Sequence, residues 1–278
     1  MMAGRVSMVK FFLLTFALTW SCFITMAILA RSGPLGVSAY ALLLLGTFAP
    51  SIVATWLTYR AEGRAGVASL LGRILQWQAA AGSYVFAVAF LPAIKLGVAL
   101  TYRALTGGWP RFGSESAGII AIAIILSTPF QAGEEVGWRG YALPRMAARV
   151  GFGPASVILG AIWGLWHLPL FFVPGEDYGQ PFFVFALGTT ALSVAIAWLY
   201  VETNGSLLLT MLMHSAVNQT VGIVPDGLAR PGNPMSLRAP VPFYLTVGFL
   251  WVAAGYFLVR LRREGAAGVR RAAAGGGR

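Results

Sequence analysis

The sequence predicts an all-α protein, a polytopic transmembrane bundle of about eight helices. Of its 278 residues, 58% are hydrophobic and only 10% are charged, whereas a soluble domain carries about a quarter charged residues. Apolar runs of about twenty residues recur along the whole chain, and a helix of that length crosses the hydrocarbon core of a bilayer. A soluble enzyme is excluded, because most of this chain has to face lipid or other helices.

The apolar runs place eight spans, separated by more polar or glycine-rich connections. The predicted spans are 11–30, 37–59, 79–101, 117–137, 153–173, 181–201, 205–225 and 241–260. A less apolar stretch between the second and third spans, 60–78, mixes arginine with leucine and tryptophan and is predicted to lie as a helix at the membrane interface. The predicted organisation is one bundle over 1–263 and a disordered cytoplasmic tail over 264–278.

The basic residues predict the orientation of the bundle. The net charge is +11, but the arginines flank apolar runs and do not form one polar domain, so we expect the bilayer as partner and no nucleic acid. Fourteen Lys and Arg residues lie at the two termini and in the even-numbered connections, against five on the opposite side. Because basic residues concentrate on the cytoplasmic side, both termini are predicted to be cytoplasmic, in a bacterial plasma membrane.

Few ionisable side chains interrupt the apolar runs, and each is a functional candidate because burying charge in a bilayer is costly. Glu134 and Glu135 close the fourth run, and both histidines of the chain, His167 and His214, lie in apolar segments. Glu135 precedes Arg139 by four residues, which favours an ion pair on one helix face. Glu134 points about 100° away from that face and is free to meet a cavity.

Each of these residues also has a purely structural interpretation. A Glu135–Arg139 pair near a helix end is often only a clamp, and a histidine in a membrane often bonds a neighbouring backbone group. Trp163 is predicted to be packing or cavity wall, and Lys95 in the third span is predicted to reach the interface or to meet a carbonyl. Glu134 is the hardest to explain structurally, because two adjacent carboxylates share one obvious partner.

Three segments in order resemble the motifs of the CPBP intramembrane proteases, a family that includes the type II CAAX prenyl endopeptidases and many bacterial Abi-type proteins. The segments are Glu134-Glu135-x-x-x-Arg139, Trp163-x-x-x-His167 and His214-x-x-x-Asn218. The resemblance covers about residues 117–225, the motif core. One departure is tryptophan at position 163, where phenylalanine is usual.

The resemblance implies an endopeptidase with a shared catalytic set, formed by Glu134, His167, His214 and Asn218. Glu134 would be the general base that takes a proton from water attacking a peptide carbonyl, while His167 would hold that water. His214 and Asn218 would donate hydrogen bonds to the oxyanion. Glu135 and Arg139 would brace the helix that carries the base. The substrate would be a membrane-embedded or lipidated peptide.

The resemblance leaves a metal cofactor open. Glu134, His167 and His214 would form the carboxylate and two-imidazole set that binds catalytic zinc, and the family is often labelled metalloprotease. The chain has no His-Glu-x-x-His pair, and the same residues suit a metal-free glutamate site. We slightly favour the metal-free glutamate site over a zinc site.

Two other functions compete with proteolysis. One is a non-proteolytic membrane partner, such as an immunity or secretion-assisting scaffold of the same fold. The other is a proton-coupled transporter, which the lack of a visible repeat and the few polar pore residues disfavour.

The predicted end of the fourth span conflicts with a shared site. A fourth span ending at 137 leaves Glu134 near the cytoplasmic face while His167 lies deep. The groups can meet only if the fourth helix continues through 139–146.

Overall fold

The computed structural model describes residues 8–33, 36–173, 180–220 and 233–275, the last range with side chains to 263. Of the residues that the structure describes, 86% are helical and none form a strand, which confirms the all-α prediction. The helices are α1 (Met8–Ser32), α2 (Val37–Gly72), α3 (Ala81–Thr106), α4 (Ala117–Ser127), α5 (Ala132–Glu135), a π-helix (Val136–Ala142), α6 (Leu143–Val150), α7 (Phe152–Trp166), α8 (Phe182–Glu202), α9 (Leu207–Thr220) and α10 (Val241–Gly275).

Seven helical stretches among the described residues are long and apolar enough to cross a membrane, so the chain is an integral membrane protein. They are Met8–Ser32, Val37–Leu75, Ala81–Thr106, Ala117–Val150, Phe152–Phe172, Phe182–Glu202 and Val241–Arg263. The remaining predicted span, 205–225, corresponds to α9, and its last residues lie outside the described ranges. The separation of a tail over 264–278 from the bundle, and the side of the membrane on which the termini lie, stay predictions.

The fourth span is longer than the sequence predicts. It was placed at 117–137, but the helical stretch continues from Ala117 to Val150. The prediction was wrong because Glu134, Glu135 and Arg139 read as a polar helix end, whereas all three are buried between helices. Removing Arg139 from the loop residues leaves thirteen basic residues against five, so the predicted orientation does not change.

The segment after the second span is helical up to residue 75. Helix α2 bends at Gly63, whose φ of +66° is a left-handed conformation that glycine adopts without strain. Beyond the bend, the Arg73 guanidinium donates to the Tyr200 hydroxyl at 2.7 Å, and Ser206 Oγ donates to the Gln76 carbonyl at 2.6 Å. The connection between α2 and α3 is thereby fastened to the turn between α8 and α9.

Glycines set the close helix contacts that position the polar residues. A Cβ atom on Gly160 of α7 would lie 2.8 Å from the Cα atom of Thr190 in α8, and one on Gly137 of the π-helix would lie 2.6 Å from the backbone of Pro50 in α2. Helices in lipid associate through such small residues, since lipid itself offers no hydrophobic drive between them. These contacts hold α7 against α8, and the π-helix against α2.

Replacing Gly160 with alanine tests the α7–α8 contact. We expect Gly160→Ala to destabilise the protein by about 1–3 kcal/mol, because the added methyl group meets backbone that cannot rotate away. Thermal unfolding of the purified protein in detergent measures the effect. Gly255→Ala on α10 is the matched control, since a Cβ there meets open space. Equal unfolding temperatures for the two variants would show that the contact does not limit packing.

Candidate active site

The four residues predicted to be catalytic line one cavity of about 610 Å³. Glu134 comes from α5, His167 from the end of α7, and His214 and Asn218 from one face of α9. The long fourth span explains how they meet, because its continuation to residue 150 carries Glu134 into the bundle. Most other lining side chains are apolar, so the polar groups form a small cluster in a hydrophobic chamber.

The Glu134 carboxylate is held by a neighbouring indole. Its Oε2 atom accepts a hydrogen bond from Trp163 Nε1 at 2.6 Å, and the residue is only 6% exposed. An indole N–H can only donate, so Glu134 Oε2 is the acceptor in this bond. The other carboxylate oxygen, Oε1, has no hydrogen bond to the described residues and is available to a water molecule in the cavity.

Trp163 contacts three of the predicted polar residues besides Glu134, namely Arg139, His167 and His214. The Arg139 guanidinium stacks over its ring, with Cζ 4.2 Å from the ring centroid, and the His214 ring meets its edge at 5.2 Å. Its backbone carbonyl accepts from His167 Nδ1 at 2.8 Å. The sequence predicted only a wall here. The feature that could have predicted the hydrogen bond to Glu134 was the tryptophan itself, because phenylalanine has no N–H to donate to a carboxylate.

These hydrogen bonds determine which ring nitrogen of each histidine carries a proton. A carbonyl can only accept, so His167 Nδ1 donates, and the neutral ring keeps its lone pair on Nε2. His214 Nδ1 lies 2.9 Å from Glu135 Oε1 and donates to that carboxylate. His214 Nε2 can therefore donate as well only when the ring carries a second proton.

The predicted Glu135–Arg139 pair is present and fully buried. Glu135 Oε1 accepts from Arg139 at 2.7 Å and both side chains are 0% exposed. The same oxygen accepts from His214, so one carboxylate joins the fourth span to α9. Within the described residues, Glu135 Oε2 and two guanidinium nitrogens of Arg139 have no hydrogen-bond partner. Stacking on Trp163 supplies part of the missing stabilisation of that cation.

The part of the chain that the structure describes shows no metal-binding group of side chains. Among the described residues, no group of three His, Cys, Asp or Glu side chains is arranged to hold a metal ion. Glu134 and His214 are each hydrogen-bonded to a different neighbour, Trp163 and Glu135.

Comparison with known proteins shows what this site is similar to. The profile of the type II CAAX prenyl endopeptidase Rce1-like family matches residues 114–220, a range that contains every motif residue. The chain is also 25% identical over 228 residues to CAAX prenyl protease 2 of Methanococcus maripaludis, across 75% of this chain and 81% of that protein. Both matches support a CAAX/CPBP-type protease.

The two matches confirm the resemblance seen in the sequence and support a peptidase. The matched range runs from just before α4 to the end of α9. It therefore includes the helices that carry Glu134, Trp163, His167, His214 and Asn218. Helices α1, α2, α3 and α10 lie outside it, although α2, α3 and α10 supply part of the cavity wall.

Two arginine variants test the buried ion pair. We expect Arg139→Met to destabilise the protein by about 3–5 kcal/mol, because it leaves the Glu135 charge buried. Arg145→Met is the matched control: its bond to Glu62 at 2.9 Å is partly exposed and such pairs contribute about 0–1 kcal/mol. Thermal unfolding in detergent compares the two. A similar loss for both variants would mean that the buried pair of Arg139 stabilises the protein no more than the exposed pair of Arg145.

Proposed function

We propose that the protein is an intramembrane endopeptidase that hydrolyses a peptide bond of a prenylated, membrane-anchored substrate with water activated by Glu134. The observation that carries this proposal is the convergence of a carboxylate, two imidazoles and an amide from separate helices on one largely apolar cavity. The relative from Methanococcus maripaludis is a CAAX prenyl protease by name. A CAAX box is a C-terminal tetrapeptide whose cysteine is prenylated, which supports a prenylated peptide as substrate class.

Water activation is the first step. A water molecule donates one proton toward Glu134 Oε1 and a second hydrogen bond to the lone pair on His167 Nε2. The water oxygen then attacks the substrate's carbonyl carbon as Glu134 takes the proton, and the electron pair of the C=O double bond moves onto oxygen. Trp163 keeps the carboxylate aimed, because its N–H occupies Oε2 and leaves Oε1 to act.

Stabilising the oxyanion and expelling the amine complete the reaction. The Asn218 amide and the protonated His214 ring donate to the new oxyanion, and the adjacent Glu135 carboxylate balances the charge on that ring. When the tetrahedral intermediate collapses, the C–N bond breaks and the leaving nitrogen takes the proton that Glu134 received. The products are a new carboxyl group and a free amine, and Glu134 returns to its ionised form.

The cavity wall suits a lipidated substrate. Leu43, Phe185 and Leu250 lie among its apolar lining residues, and such walls hold hydrocarbon while excluding bulk water from the polar cluster. In the proposed setting the protein lies in a bacterial plasma membrane with both termini in the cytoplasm. That orientation rests on the distribution of basic residues.

Glu134→Gln tests the proposed base. The amide cannot take the proton from water, so we expect cleavage of a prenylated CAAX peptide by the purified protein to fall about 10²- to 10⁴-fold. Chromatography of the peptide products measures the rate. Glu202→Gln, an exposed glutamate at the end of α8, is the matched control and should cleave normally. Full cleavage activity of Glu134→Gln would refute the assignment of Glu134 as the general base.

Trp163→Phe tests the positioning role of the indole N–H. Phenylalanine keeps an aromatic wall but removes a hydrogen bond to a charged group, so we expect kcat to fall about ten- to a hundredfold with KM unchanged. Steady-state kinetics on the same peptide separates the two constants. Trp198→Phe removes an indole whose Nε1 is buried without a partner in the described structure, and should leave kcat alone. A rise in KM with normal kcat would mean that Trp163 is only part of the wall.

A further inference from the structure

A second cavity lies on α2, at the bend of this helix and apart from the catalytic chamber. It has a volume of about 660 Å³, and all its described lining residues come from α2. Ile52, Trp56 and Tyr59 line it before the bend, and Arg64 and Val67 line it after the bend. We call this cavity the α2 groove. Its described lining residues differ from those of the catalytic chamber, so the proposed reaction does not use it.

The length of the helical stretch puts the bend of α2 at the membrane surface. The stretch Val37–Leu75 has 39 residues, which corresponds to about 58 Å, whereas the hydrocarbon core of a bilayer is about 30 Å thick. The bend at Gly63 lets the excess length turn along the surface. Trp56 and Tyr59 precede the bend, and these residue types concentrate where hydrocarbon meets the headgroups. The α2 groove therefore opens at the level of the lipid headgroups.

The wall of the α2 groove before the bend is largely apolar and faces outward. Ile52, Trp56 and Tyr59 follow one another at intervals of four and three residues, so they share one face of the helix. They are 44%, 43% and 53% exposed, respectively. In a membrane this face is in contact with lipid, so an occupant of the groove has to present hydrocarbon to it.

Two cations flank this apolar wall. Arg64 lines the groove beyond the bend, and Lys10, near the start of α1, places its Nζ atom 5.2 Å from the centroid of the Trp56 ring. The acidic residue closest to Arg64 in the sequence is Glu62, which accepts a hydrogen bond from Arg145 of α6 at 2.9 Å. The charge of Glu62 is thus balanced from another helix, and the rim of the α2 groove is positively charged.

The wall of the groove is fixed from the inside of the bundle. Ser51, which also lines the groove, donates from Oγ to the Ala132 carbonyl of α5 at 2.5 Å. One residue earlier, the backbone of Pro50 packs against Gly137 of the π-helix. A wall that is already in place binds a ligand at a lower cost in conformational entropy than one that has to form on binding. The α2 groove is therefore a preformed site.

We propose that the α2 groove binds an anionic phospholipid of the surrounding bilayer. The lipid phosphate lies between the Lys10 ammonium group and the Arg64 guanidinium, which has the fork geometry that suits phosphate oxygens. An acyl chain extends from there along Ile52 and Trp56 into the hydrocarbon. A zwitterionic phospholipid offers the same chains, but its own cationic group competes for the phosphate, so the lipid with a net negative charge is preferred. Lipid binding at this groove is independent of peptide cleavage.

Quenching of Trp56 fluorescence by phospholipids with brominated acyl chains tests this site, because bromine quenches a tryptophan that the chain touches. The purified protein is placed in phosphatidylcholine vesicles that contain either brominated phosphatidylglycerol, which is anionic, or brominated phosphatidylcholine, which is zwitterionic. The contribution of Trp56 is the part of the quenching that Trp56→Phe loses. We expect phosphatidylglycerol to bind about 10- to 30-fold more tightly, since two basic residues at a membrane surface each favour anionic lipid about fivefold.

Two double variants locate the charge that causes this preference. Lys10→Gln combined with Arg64→Gln should reduce the ratio of the two lipid affinities to about one. Arg262→Gln combined with Arg263→Gln is the matched control, because it removes the same charge from exposed positions on α10. This control should keep the full preference for phosphatidylglycerol.

Several outcomes overturn the lipid site. Equal quenching of Trp56 by both lipids in the wild-type protein would mean that any acyl chain fills the groove. A preference that survives in the Lys10 and Arg64 variant, or that falls equally in both double variants, would place its cause elsewhere on the surface. No quenching by either lipid is the result expected if a second copy of the chain covers the groove. The wild-type comparison decides by itself if the Lys10 and Arg64 variant does not fold.

Discussion

The hydrogen bond from the Trp163 indole to the Glu134 carboxylate is the interaction on which the rest of the site depends. It fixes one carboxylate oxygen at 2.6 Å and leaves the other to the cavity. The same tryptophan accepts from His167 through its carbonyl and stacks beneath Arg139. Trp163 of α7 thus connects the fourth span to the segments that carry His167 and His214. A shift of α7 would therefore displace the Glu134 carboxylate and both imidazoles together.

The buried charges of the site are stabilised by groups from neighbouring helices. Glu135 accepts from Arg139 and from His214 with the same oxygen, so two positive or polar groups share one negative charge. The π-helix Val136–Ala142 widens the fourth span at this point, and π-helical turns are common at functional sites. Close glycine contacts then hold the fourth span on α2 and α7 on α8. The close glycine contacts therefore hold together the helices that carry the buried charges.

Local features of the site could be predicted from the sequence, while those that depend on tertiary contacts could not. The spans follow from apolar length, and the Glu135–Arg139 and His214–Asn218 pairs follow from helical spacing alone. The end of the fourth span was misplaced because hydropathy treats Glu134 as solvent-facing, whereas Trp163 from another helix satisfies it. The place of Lys95 in the cavity wall could not be predicted for the same reason, since it depends on the packing of α3 against α10.

The hydrogen bond between Trp163 and Glu134 can be observed directly by nuclear magnetic resonance of protein labelled with ¹⁵N in its nine tryptophans. The Trp163 indole signal is identified by its absence in a variant without that indole. The account predicts a strongly downfield N–H proton that moves upfield when Glu134 is changed to glutamine, because a neutral amide accepts more weakly than a carboxylate. A Trp163 signal at an ordinary position, unaffected by the change at Glu134, would contradict it.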